Sequence, residues 1–449
     1  MNYSVEEIAK IVDGELLGSK EVTVNSIDFD SRNIKSGAIF VPILAQRDGH
    51  AFINDALNNG AVASFVTHFI DSPITQIKVN DTQVAFGQLA HDYVQRINPG
   101  KIAVTGSNGK TTTKDLISSI LSVKYKVHHT IDSLNNELGV PKTILDMPED
   151  TEMLVVEMGM DRPLQISALS KILEPEIAVI TMIGEAHIEF FKTRDKIADA
   201  KFEIVDGLNH HGLLLYNGDE PLLQQRALDF LSKDEHHRAV GFGLQKNNEY
   251  RLSDVKQKNN QLNFNFDGRN FSVNLLGDFN AMNTTAAIAV GEILDLSDEQ
   301  IQEGLNNLSL TQNRLSILKG NNEEIIISDV YNSNPTAAIE AIKIINQYSN
   351  VKNKYLVLGD MLELGENSLE LHEKLIEPIN NSDIKEVFLV GNIFAQIAPK
   401  IIKPVKVFNI KELEKLTDIL KKTLQSNDLI LLKASHGIHL ENILQNLVN

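Results

Sequence analysis

Apolar positions fall into short unbroken runs separated by segments of helical period. In the first hundred residues, the runs at 37–42 and 61–66 predict strands between turns, and Asn98-Pro99-Gly100 marks a break where a first unit ends. Residues 102–105 then predict a strand, followed by a glycine-rich turn and a helix in which Leu116, Ile117, Ile120 and Leu121 recur at helical spacing. Further apolar runs at 153–157 and 177–182, with helical segments between them, predict a parallel sheet with crossover helices, because strands covered on both faces have no polar side to present. Alternation at Leu262, Phe264 and Phe266, and again at Phe271, Val273 and Leu275 across Asp267-Gly268, predicts a hairpin. From about Asn313 the rhythm restarts, with strands expected near 325–330, 355–359, 387–391, 405–408 and 429–433. The expected fold class is α/β, with a second open sheet in the C-terminal part.

Composition narrows what these units can do. With 449 residues, 42% of them apolar, the chain can bury several cores, and two or three domains are expected. A formal net charge of −18 opposes a nucleic-acid or anionic-membrane surface, so a phosphorylated ligand must meet cations gathered locally. The lack of cysteine excludes disulfides, thiolate metal sites and a cysteine nucleophile. The start of the chain carries Glu6 and Glu7 and no apolar export segment, and no apolar run is long enough for a bilayer, which predicts a cytoplasmic protein.

Candidate chemistry concentrates in Thr105-Gly106-Ser107-Asn108-Gly109-Lys110-Thr111-Thr112. Glycines let backbone N–H groups approach phosphate oxygens, a lysine ammonium neutralises their charge, and a threonine hydroxyl can hold Mg²⁺. Gly106, Ser107, Asn108, Gly109, Lys110, Thr111 and Thr112 are therefore read as the cradle of an ATP triphosphate. The general form of the motif has a glycine where Val104 stands; here the first glycine comes two residues later, the shorter Gly-x-x-Gly-Lys-Thr form. A plain helix-opening turn is the competing reading, disfavoured by the strand and helix that flank the loop correctly. No Asn-Lys-x-Asp base-reading tetrad occurs, which disfavours a guanine switch. Glu157 closes the run at 153–157, where open α/β sheets place ligands, and can serve Mg²⁺ directly or through water.

With this loop stand Asp30-Ser31-Arg32, Asp48-Gly49-His50, Leu134-Asn135-Asn136-Glu137-Leu138-Gly139-Val140-Pro141, Gly184-Glu185-Ala186-His187, Ala200-Lys201-Phe202-Glu203-Ile204 and Gly359-Asp360-Met361-Leu362-Glu363-Leu364-Gly365. Together these segments resemble the Mur ligases, the ATP-dependent enzymes of peptidoglycan precursor assembly, from the N-terminal region to the last strand. The Gly-Asp-Met-Leu-Glu-Leu-Gly segment is similar to the type that adds D-alanyl-D-alanine to a UDP-N-acetylmuramoyl tripeptide. The type that adds a diamino acid to the UDP-muramoyl dipeptide is the alternative, and its Asp-Asn-Pro-Arg-like element is missing here. The resemblance implies a three-domain architecture: 1–98 binding the UDP substrate, 99–312 binding ATP on a central P-loop ATPase-like sheet, and 313–449 Rossmann-like. It also implies an ADP-forming amide ligase that uses ATP and Mg²⁺, works through an acyl phosphate and acts as a monomer.

Roles for single residues follow from the same resemblance. Thr111, Glu157, His187 and Lys201 become metal ligands, Lys201 as a carbamate, since a CO₂ adduct turns a repelled ammonium into an anionic oxygen donor suited to Mg²⁺. Lys110, Glu157, His187 and Lys201 form the catalytic group. Asn283 is assigned to adenine, in a segment where Phe279 replaces the usual histidine beside Asn280, while Arg314 and Asp329 are assigned to the ATP phosphates and ribose. Ser31, Arg32, Asn135 and Asn136 are expected to hold the UDP and muramoyl portion. His436 stands where many relatives have arginine, in Lys433-Ala434-Ser435-His436-Gly437.

Overall fold

The structure, a computed structural model, describes residues 1–233, 236–258, 260–311 and 315–448. Among the described residues, three sheets carry the fold, together with a two-stranded ribbon near the N-terminus. The first has five strands in the order Glu15–Leu17, Thr75–Lys78, Ala61–Val66, Ala38–Phe40, Ser26–Asp28, parallel except for its antiparallel first pair. The helix Thr82–Ile97 follows, capped by the Asp81 carboxylate, which accepts from Gln83 and Val84 N–H. It stops at Asn98, whose left-handed backbone (φ 52°) lets Pro99 and Gly100 lead out into the next strand, the break expected from this tripeptide.

The second sheet has nine strands. Val127–His129 forms one edge, followed by Met153–Glu157, Gly100–Thr105, Ile177–Ile180, Leu213–Asn217, Arg238–Gly243 and Tyr250–Lys258, all parallel. The hairpin Gln261–Phe266 and Arg269–Val273 is added antiparallel at the other edge, turning at Asp267-Gly268 as expected. Alternate residues feed two cores: Ala103, Leu154, Val156 and Ala178 on one face, Ile102, Val104, Val155 and Val179 on the other. The first of these cores is continuous with the N-terminal sheet through Phe86, Leu89 and Tyr93 of the helix Thr82–Ile97, so the first two sheets are cemented together.

The third sheet runs Ser316–Lys319, Ile325–Asp329, Leu429–Lys433, Lys354–Gly359, Glu386–Val390, Val405–Phe408, parallel apart from the antiparallel first pair. Its strands are sandwiched as well, with Leu356, Leu358 and Leu431 facing one core and Val357, Ile430 and Leu432 the other. Among the described residues no helix is long and apolar enough to cross a membrane.

Candidate active site

Three neighbouring strands of the nine-stranded sheet end at one crevice. Gly100–Thr105 lies between Met153–Glu157 and Ile177–Ile180, and its later connections depart to opposite sides, which opens a crevice at the carboxyl ends of the strands. The loop 106–109 fills it. Ser107 N–H donates to Met182 O at 2.8 Å, and the Thr181 hydroxyl donates to Asn108 O at 2.6 Å. Gly106 (φ +151°) and Gly109 (φ +82°) leave no room for side chains: a Cβ would stand 1.9 Å from Thr181 Oγ1 at the first and 2.4 Å from Asn283 Oδ1 at the second. The helix Lys110–Leu121 starts here, and its first-turn N–H groups, which have no partner within the helix, make this end an anion site. Lys110 Nζ folds back over the loop to donate to Gly106 O at 2.9 Å.

Around this loop Ser107 Oγ and Glu157 Oε2 are buried and lack a hydrogen-bond partner among the described residues, while the buried His187 Nδ1 lies 2.6 Å from Glu363 Oε2. Buried polar atoms are nearly always paired, so the first two are unmet demands. A hydroxyl beside loop N–H groups suits a phosphate oxygen; a carboxylate oxygen and an imidazole suit a cation. The Glu157 carboxylate is held in place, because Oε1 accepts from Asn135 Nδ2 at 2.7 Å while its own backbone N–H donates to Thr130 Oγ1 at 3.0 Å. Among the described residues no three His, Asp or Glu groups converge into a ready-made cage. A cation here must take the rest of its shell from hydroxyl, water and phosphate oxygens, as Mg²⁺ commonly does, so the donor set fits that ion.

Lys201, on the helix Arg194–Phe202, is only 1% exposed. Burial, and secondarily the nearby Lys110 ammonium, push its amine well below the usual lysine range against the opposing pull of Glu157 and Glu203. Both effects act against a positive charge at this position.

The cleft measures about 1070 Å³ and takes wall residues from all three sheets' units, including Leu44, the phosphate loop and His436. The C-terminal unit meets the loop directly: Asn334 Nδ2 donates to Asn108 Oδ1 at 2.8 Å, and Thr336 Oγ1 donates to Glu185 Oε2 at 2.7 Å. Phe279 and Ile188 pack against the C-terminal apolar core.

The family models agree with this layout. Residues 104–291 match the Mur ligase middle domain, and residues 313–436 match the Mur ligase glutamate ligase domain. A UDP-N-acetylmuramoyl-tripeptide–D-alanyl-D-alanine ligase of Bacillus subtilis (strain 168) is 38% identical over 99% of this chain and 98% of its own length. The chain belongs to the Mur ligases. The ligase of the same name from Escherichia coli (strain K12) is 28% identical over 87% of the chain and 86% of its own. Among solved structures, MurF from Acinetobacter baumannii superposes with a TM-score of 0.90 at 27% identity, covering 99% of this chain and 98% of that one. MurF from Thermotoga maritima, solved in complex with ADP, gives 0.81 at 27% identity, over 94% and 97%.

Within this Mur ligase scaffold, Ser107 to Thr112, Asn135, Asn136, Glu157, His187, Asn283 and Asp329 share one cleft wall. Gly106, at the start of the loop, and the buried Lys201 do not line the cleft. Ser31 and Arg32 are away from the cleft; Arg32 pairs with its neighbour Asp30 at 2.6 Å, its side chain 85% exposed. Arg314 falls outside the described residues, as does the expected junction at 312–313. Asn136 Oδ1 accepts from Leu138 and Gly139 N–H at the start of a helix, a capping role. Asp329 is paired with the buried Lys433, Oδ2 to Nζ 2.5 Å. Lys433, Asn334 and Glu363 were missed as site residues from sequence. Lys433 and Glu363 stand in segments named above and Asn334 does not, but the role of each depends on a partner from a distant segment.

Proposed function

We propose that this enzyme joins D-alanyl-D-alanine to a UDP-N-acetylmuramoyl tripeptide, converting ATP to ADP and phosphate. One observation carries the phosphoryl-transfer reading: two buried polar atoms without a hydrogen-bond partner among the described residues, Ser107 Oγ and Glu157 Oε2, flank a glycine loop at a helix N-terminus. Full-length likeness to D-alanyl-D-alanine ligases supports the choice of acceptor. The Lys110 ammonium draws charge off the triphosphate as the peptide carboxylate attacks the γ-phosphorus, forming a C–O–P bond as the bond to ADP breaks. The dipeptide amine then attacks the acyl-phosphate carbonyl, loses a proton, and expels inorganic phosphate to leave an amide. Mg²⁺, when bound, would neutralise the triphosphate and polarise its terminal group. Thr111 and Glu157 would hold one ion, and His187 with Lys201 a second.

Lys201 would act as a carbamate. Its uncharged amine attacks CO₂, an N–C bond forms, and a proton is released, giving an anionic oxygen donor in place of a cation. Asn283 would contact adenine, and Arg314 and Asp329 the phosphates and ribose; Ser31, Arg32, Asn135 and Asn136 would serve the UDP-muramoyl portion. The same reading puts the enzyme in the cytoplasm as a monomer. Phosphate release with ATP and UDP-muramoyl tripeptide tests it, with D-alanyl-D-alanine compared against free diamino acids as acceptors. Turnover only with the diamino acids overturns the assignment.

A further inference from the structure

His187 has a partner from the other side of the cleft. The loop Gly359–Gly365 leaves a central strand of the C-terminal sheet with its backbone tied down residue by residue. Asp360 N–H donates to Val390 O at 2.9 Å, Met361 N–H to His372 Nε2 at 3.0 Å, and Leu362 N–H to Ser435 Oγ at 2.9 Å. Glu363 follows in the left-handed region at φ 61°, a conformation that costs a non-glycine residue about 1–2 kcal/mol and so must be imposed by its surroundings. His187 is left-handed too, at φ 62°. The two strained residues face each other: Glu363 O accepts from Glu189 N–H at 3.1 Å, and Glu363 Oε2 lies 2.6 Å from His187 Nδ1. That nitrogen is buried, and the carboxylate oxygen stands within hydrogen-bonding distance of it.

We propose that Glu363 is a positioning residue for His187: its carboxylate takes the hydrogen bond from Nδ1, fixing the tautomer and leaving Nε2 as the donor to a divalent cation. A carboxylate behind a metal-binding histidine orients the ring and raises its basicity. Here the carboxylate comes from the C-terminal unit and the histidine from the central one, so the ligating pose of His187 exists only while the two units are closed. By reciprocity, a cation held through His187 favours closure. The inference rests on the reading of His187 as a cation ligand. The side chain is separable from the fold, because the Glu189–Glu363 bond is made by backbone atoms alone.

The test uses the full chain with Mn²⁺ and a nonhydrolysable ATP analogue, following bound Mn²⁺ by electron paramagnetic resonance and closure by small-angle scattering. His187→Ala defines which Mn²⁺ depends on that ring. Glu363→Leu should weaken that ion about 10–100-fold and abolish the Mn²⁺-induced compaction. Glu363→Gln, which keeps an acceptor oxygen, should fall between Leu and wild type, with melting temperatures unchanged. If Glu363→Leu binds the His187-dependent Mn²⁺ as wild type does, Glu363 has no such role. If His187→Ala loses no Mn²⁺, the cation reading of His187 itself fails, and this inference with it.

Discussion

Replacing Asp115 by asparagine should loosen the central unit at a point the chemistry does not touch. Lys114 and Asp115 are consecutive residues of the phosphate-loop helix, both buried, with Nζ 2.5 Å from Oδ1. The ammonium also donates to Thr130 O at 2.9 Å and to Thr311 Oγ1 at 3.3 Å, while the carboxylate accepts Thr311 N–H at 2.8 Å and its hydroxyl at 3.1 Å. Thr130 Oγ1 in turn accepts the N–H of Glu157, so the helix, the cation-facing strand end and the approach to the C-terminal unit share one polar knot. In D115N the ammonium stays buried without its counter-charge, a loss of about 3–5 kcal/mol. That is a large part of the roughly 5–15 kcal/mol that holds a domain folded. Removing the ammonium as well, in K114M/D115N, takes away the stranded charge and should recover about 1–3 kcal/mol. The milder T311V loses one hydroxyl and should cost about 1 kcal/mol. The chain has no tryptophan, so urea unfolding is followed by far-UV circular dichroism and tyrosine fluorescence, and free energies are taken where the two transitions coincide. A D115N cost below about 1 kcal/mol, or a double variant as unstable as the sum of the singles, would refute the reasoning.

Three further outcomes are expected. Gly109→Ala forces a Cβ to 2.4 Å from Asn283 Oδ1 at φ +82°, so nucleotide affinity measured by calorimetry should fall by at least tenfold, about 1.4 kcal/mol; unchanged affinity contradicts the cradle. Enzyme prepared free of CO₂ should regain activity with bicarbonate and show a carbamate ¹³C signal, whereas Lys201→Ala should show neither; full activity in that variant discards the carbamate. His372 is fully buried, donates Nδ1–H to Ser368 O at 2.7 Å and accepts Met361 N–H on Nε2, and burial holds it below the usual histidine range. The unfolded chain therefore takes up a proton first as pH falls below about 6.5, and stability drops from there to the lowered folded value by up to ~1.4 kcal/mol per pH unit. Urea midpoints at pH 7.5 and 5.5 should differ less in His372→Gln than in wild type; equal differences remove His372 as the cause.

Local chemistry by itself determined most of the elements and the loop. Asn98-Pro99-Gly100 ends a helix because its left-handed Asn98 and ring-locked Pro99 cannot continue one. Unbroken apolar runs became doubly covered strands at Met153–Glu157 and Leu429–Lys433, within the expected bounds, because each lies inside its sheet with both faces buried, whereas Val405–Phe408 keeps its expected bounds as an edge strand with Lys406 and Val407 exposed. The edge strand Val127–His129 carries no apolar run, and only its neighbour Met153–Glu157 draws it into the sheet. The tertiary structure alone decided which groups of the site meet. Asn334 reaches Asn108 across 226 residues, and Lys433 reaches Asp329 across 104. Hydrophobic period places a loop at the end of a strand but says nothing of which loop on another sheet it will face. That choice comes from how the apolar layers stack, with Phe279 and Ile188 of the central unit seated in the C-terminal core, and it brings Glu363 to His187.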